Sequence, residues 1–112
     1  MQNLRLFFMV CVLSVAPFIQ AQQNKVDSLV DVAVGWRESG NAELALRELD
    51  ALAASKNAGE RILYEQALTL LELNRYSLAI APAKRAVAMK GNFRVDASLI
   101  LTQCFVARGE YK

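Results

Sequence analysis

The chain has 112 residues, 54% hydrophobic and 21% charged, with 13 Lys and Arg against 11 Asp and Glu. That length suits one small domain. A net charge of +2 demands neither nucleic acid nor an anionic membrane, and the absence of His removes the commonest general base and metal ligand.

Residues 1–21 predict an export signal: Arg5 beside the amino terminus, an apolar run from Leu6 to Ile19 broken by Ser14 and Pro17, then Ala21. The run falls short of the roughly 20 apolar residues of a membrane span, so cleavage after Ala21 is expected, with an uncleaved anchor as the alternative. Only the retained anchor would bring the protein to a membrane. Cys11 follows Met9 and Val10 inside the apolar run, which does not fit a lipoprotein signal. Cleavage leaves residues 22–112 as one exported domain, periplasmic or associated with the cell envelope, carrying 12 basic and 11 acidic residues. Cys104 is then the single cysteine, so no intrachain disulfide is expected.

Beyond the signal the chain is self-similar at a spacing of 34 residues. Leu29, Ala33, Glu38 and Ala45 recur as Leu63, Ala67, Glu72 and Ala79, and a 35-residue step then carries Leu70 to Phe105 and Tyr76 to Tyr111. A fixed period in this range predicts stacked repeats, each burying its apolar face against its neighbours. The copies span about residues 26–59, 60–94 and, in part, 95–112. In the second copy Ile62, Leu63, Ala67, Leu70, Leu71 and Leu73 keep helical spacing. Asn74, Arg75 and Tyr76 interrupt it, Ser77 is expected to cap a second helix running to Met89, and Gly91 with Asn92 ends that helix. Each copy is therefore a helical hairpin, with Ala33, Ala45, Ala67 and Ala79 where two helices must approach closely. Two local signals oppose this. Val30, Val32, Val34 and Trp36 alternate like a strand, and Pro82 predicts a kink or a late helix start. The shared register of Leu29, Ala33 and Trp36 with the second copy decides for helix, although Gly35 costs roughly 1 kcal/mol there.

On these residues the chain resembles the tetratricopeptide repeat family, as an exported, bacterial-type member. The first copy supplies Leu29, Ala33, Trp36, the turn Gly40-Asn41-Ala42 and Ala45-Leu46. The second supplies Leu63, Ala67, Leu70, Asn74-Arg75-Tyr76 and Ala79-Ile80; the third supplies Leu101, Phe105 and Gly109-Glu110-Tyr111. Asn74 replaces the turn Gly, Gly91 stands where the family often has Pro, and Leu52 replaces a small residue. The resemblance implies an all-α fold, an alpha solenoid of antiparallel helix pairs with two full repeats plus the first helix of a third. It also implies a concave groove lined by the first helix of each copy: Val30, Val34 and Arg37, then Tyr64, Leu68 and Leu71, then Leu99, Gln103 and Val106. Such a groove is mostly apolar and suits an amphipathic helix or an extended hydrophobic segment of a protein partner rather than a peptide carboxylate.

Catalytic constellations are scarce. Glu43 with Arg47 and Arg61 with Glu65 stand at helical spacing and read as solvated pairs, and Cys104 reads as a small core residue. No phosphate loop or metal-ligand spacing is present, so a non-catalytic protein- or peptide-binding scaffold without cofactors is expected. The alternatives are an exported input domain of a larger signalling protein, such as a membrane histidine kinase, or a component of a cell-envelope assembly machine. Residues 27–72 hold 9 acidic and 4 basic residues, a net of −5, whereas residues 73–112 hold 7 basic and 2 acidic, a net of +5. This polarity could favour head-to-tail association. The third copy reaches only its turn at Gly109-Glu110-Tyr111-Lys112, which predicts either a fragment of a longer protein or an uncapped last helix covered by a partner or a second copy.

Overall fold

The computed structural model describes residues 2–55 and 58–109. Five helices follow one another: α1 (Gln2–Glu38), α2 (Ala42–Ala53), α3 (Glu60–Glu72), α4 (Tyr76–Ala88) and α5 (Arg94–Ala107). Among the described residues there is no strand. Each helix packs against the next, and α3 at the centre also touches α1 and α5. The strand-like stretch Val30–Trp36 lies inside α1, which runs unbroken through Ala21. The turn residues Glu110, Tyr111 and Lys112, and the side chains of residues 2–16, 18 and 19, lie outside the described set.

The period is written into the backbone as well as the sequence. Helices α1 and α3 end at Glu38 and Glu72, and α2 and α4 begin at Ala42 and Tyr76, each pair 34 residues apart. After α1, the N–H groups of Gly40 and Asn41 donate to Arg37 and Trp36 carbonyls at 3.1 and 2.8 Å; after α3, those of Asn74 and Arg75 donate to Leu71 and Leu70 carbonyls, both at 2.9 Å. Both are Schellman closures, which need a left-handed residue just past the helix. Gly40 (φ 94°), Asn74 (φ 61°) and Gly109 (φ 76°) fill that place. Asn substitutes for Gly at Asn74 because its short polar side chain tolerates this conformation better than other side chains do.

The start of α4 differs from expectation in two ways. Its helix starts at Tyr76 and the preceding Arg75 takes the cap position with no side-chain cap bond, so Ser77 lies within the first turn rather than before it. Pro82 does not delay the start. It sits buried in the helix interior, and Leu78, whose carbonyl would otherwise accept the missing N–H, is 62% exposed.

The core runs along the elements rather than sitting at one centre. Leu46 of α2, Ala67 and Leu70 of α3, Ala79, Ile80 and Ala83 of α4, and Ile100 and Cys104 of α5 form one cluster. Leu63, Ala86 and Ala97 form a second beside it. Ala33, Ala45, Ala67 and Ala79 are all fully buried, as close helix approach requires. Burying a side chain the size of Leu49 or Leu63 stabilises by about 1.5–3 kcal/mol.

Candidate functional site

The nine residues expected to line one groove divide into a buried set and an exposed set. Val30 is 1% exposed and belongs to the core. Arg37 is also withdrawn from solvent, its side chain 9% exposed. Its Nη1 donates to Glu65 Oε2 at 2.6 Å and to Thr69 Oγ1 at 3.3 Å, while Nε lies 3.5 Å from Glu72 Oε2. Thr69 in turn donates to the Glu65 carbonyl at 2.7 Å. Val34 is half-buried. Tyr64 stacks on Phe93 with ring centroids 4.9 Å apart, and burial, with Asp96 and Glu65 nearby, pushes its phenol up from the usual range. Leu68 and Leu71 are half-buried against the main core cluster.

Only the third-copy residues are open: Leu99 is 56% exposed, Val106 53%, and Gln103 is exposed too. The sequence register explains the gradient. Val30, Tyr64 and Leu99 are equivalent, as are Arg37, Leu71 and Val106; of these, Arg37 meets Glu65 and Thr69 of α3, and Tyr64 meets Phe93 just before α5. What is left of the groove is a shallow depression of about 440 Å³ where Leu71 and Tyr76 meet Thr102, Gln103, Val106 and Ala107. It joins Leu71, Gln103 and Val106 of the expected set. A second depression of about 440 Å³ opens beside Val26, Val30 and Ile62.

The ion pairs also differ from expectation. Glu43 pairs with Arg75 rather than with Arg47, and Arg61 pairs with Asp31 at 2.5 Å rather than with Glu65, which belongs to Arg37. Each of these pairs joins the first copy to the second. A long side chain one helix away competes well with a same-helix neighbour that is worth a few tenths of a kcal/mol. At the entry to α5, the Glu60 carboxylate accepts the Phe93 N–H and occupies the space a side chain at Gly91 would need. The signal for Arg37 and Glu65 was present in the sequence. Each is a charge at a register position that is apolar in the third copy, where Val106 and Ile100 stand, and the two charges are opposite.

The site offers little to chemistry. Cys104 is fully buried, and burial pushes its thiol up despite the opposing effect of Arg108, so it stays protonated at neutral pH. Among the described residues no group of three Cys, Asp or Glu is placed to hold a metal ion. The open surface instead offers apolar contact with a few neutral donors and acceptors, those of Thr102, Gln103 and Tyr76. Compared with protein-family models, with curated proteins and with solved structures, the chain matches none of them.

Proposed function

We propose that this chain is a non-catalytic scaffold, an exported stack of helical hairpins of the tetratricopeptide kind, that holds an apolar or amphipathic helical segment of a protein in the cell envelope. The observation that carries the reading is the face of α5, where Val95, Leu99 and Val106 are 70%, 56% and 53% exposed beside the depression at Leu71 and Tyr76. Contiguous exposed apolar surface rimmed by polar groups is the kind of surface that marks docking sites. The stacked arrangement draws support from the recurring left-handed turns and from ion pairs that each cross from one copy to the next.

Leu68 is a poor residue for testing this, because its side chain packs on the core. Val106→Lys is cleaner, since the residue is exposed and the variant should fold. Amphipathic helical peptides selected from a displayed library on the full chain should lose about tenfold or more in affinity, roughly 1.4 kcal/mol, against Val106→Lys. No enrichment of binders, or equal affinity for the variant, would remove the α5 face from the proposal. Export belongs to the same reading, and an intact mass equal to residues 22–112 from the native host is the outcome expected of it.

A further inference from the structure

We propose that the segment seated on the α5 face is α1 of a second copy of this chain, joined head to tail; this rests on reading that face as a docking site. Helix α5 is apolar on two sides. Ala97, Ile100 and Cys104 are buried in the core, and Val95, Leu99 and Val106, spaced by four and seven residues, align on the opposite side.

The occupants of equivalent positions identify the partner. On α1, Arg37 is covered by α3 through Glu65 and Thr69; on α3, Tyr64 is covered by Phe93, the residue that caps α5. The next odd-numbered helix, or the residue that caps it, supplies the cover each time. The receiving sides of α3 and α5 are already used in this way. That of α1 is not. Its Leu29, Val32 and Trp36 are 40%, 55% and 39% exposed, whereas Leu70, equivalent to Trp36, is 6% exposed in a cluster that includes Leu46 of α2. Among the described residues, α5 thus carries one exposed apolar stripe and α1 another, one of the type that gives cover and one of the type that takes it.

Charge selects the pairing. Residues 27–72 carry a net of −5 and residues 73–112 a net of +5. Joining two α5 faces would bring like charge together, and joining α5 to α1 brings opposite charge together. Such a contact is heterologous, so assembly continues into chains or rings rather than stopping at a symmetric dimer.

The test is the full chain carrying Leu99→p-benzoylphenylalanine, produced with its amino-terminal segment intact and irradiated in the host. The expected product is a two-chain adduct in which the label is joined to the peptide containing Leu29, Val32 and Trp36. Val32→Lys in the same chain should abolish it, and the label at Leu78, equally exposed but on α4, should not form it. A link to the Val95–Val106 segment of a second copy overturns the head-to-tail pairing. A link to a different protein overturns the second-copy assignment and leaves the docking reading standing. A link within one chain, or no link, overturns both.

Discussion

The two junctions between copies solve one packing problem with opposite chemistry. Where the first copy meets the second, Arg37 reaches Glu65, Thr69 and Glu72, with Asp31–Arg61 and Glu43–Arg75 flanking it. Where the second meets the third, the register puts Leu71 where Arg37 was, Ile100 where Glu65 was and Cys104 where Thr69 was, and at these positions the junction is apolar. The backbone tolerates either filling because the helices keep their spacing. The polar junction, however, is conditional in a way the apolar one is not: a buried charge is acceptable only while its partner is present.

The largest expected effect follows from that condition. Arg37→Leu leaves the Glu65 carboxylate buried without its cation and should cost about 3–5 kcal/mol in chemical denaturation. Arg37→Leu combined with Glu65→Ile copies the second junction onto the first and should recover all of that loss, with a further gain of about 1–4 kcal/mol allowed by buried-pair replacements elsewhere. A double variant as unstable as the single one would mean that the junctions are not interchangeable. The flanking pairs are exposed enough that each contributes only about 0.2–1 kcal/mol, lost progressively in high salt.

The apolar junction should respond to different reagents. Phe93→Leu keeps the volume near Tyr64 but ends the ring stacking, at an expected cost of about 0.5–1.5 kcal/mol measured by thermal or urea unfolding. Alkaline pH should also weaken this junction. Because the folded Cys104 thiol is pushed above its ordinary value, the unfolded chain releases that proton first as pH rises. Its contribution is complete below about pH 8.5 and declines above it, since the folded state then binds more protons than the unfolded one. Tyr64 is shifted in the same direction and adds to the decline above about pH 10. Cys104→Ala should remove the first part of the slope, and an unchanged slope would place its origin elsewhere.

The helices and their turns were legible in the sequence because they depend on local spacing, and Leu63, Ala67 and Leu70 with the left-handed Gly40 and Asn74 reveal both within a few residues. The groove was not legible. Val30 and Leu99 share a register position, yet one is 1% exposed and the other 56%, because exposure depends on what packs against each helix. Periodicity makes equivalent positions look alike and is silent about ends. Ion pairing failed for a related reason: Glu43 and Arg47 are neighbours along one helix, but Arg75, 32 residues away, reaches Glu43 across the junction. The start of α4 was misplaced because Ser77 is a strong capping residue in general, while the closure through Asn74 and Arg75 had already fixed where the helix begins.

The smallest effect concerns Gly35, which occupies the position of Thr69 and Cys104 on the receiving side of α1. In the second and third copies that position is fully buried, whereas at Gly35 an added methyl group would meet nothing within 4 Å. The residue lies in mid-helix, so glycine has no conformational reason to be there and only enlarges the freedom of the unfolded chain. Gly35→Ala should therefore stabilise by about 0.5–1 kcal/mol, read as a rise in the denaturation midpoint with no change in slope. The same methyl group also tests the assembly. If α1 receives the α5 face of another copy at interior distances, Gly35→Ala should stabilise the dilute protein and weaken the two-chain adduct. Gain in both would mean that the helices at that contact lie farther apart than those inside the chain.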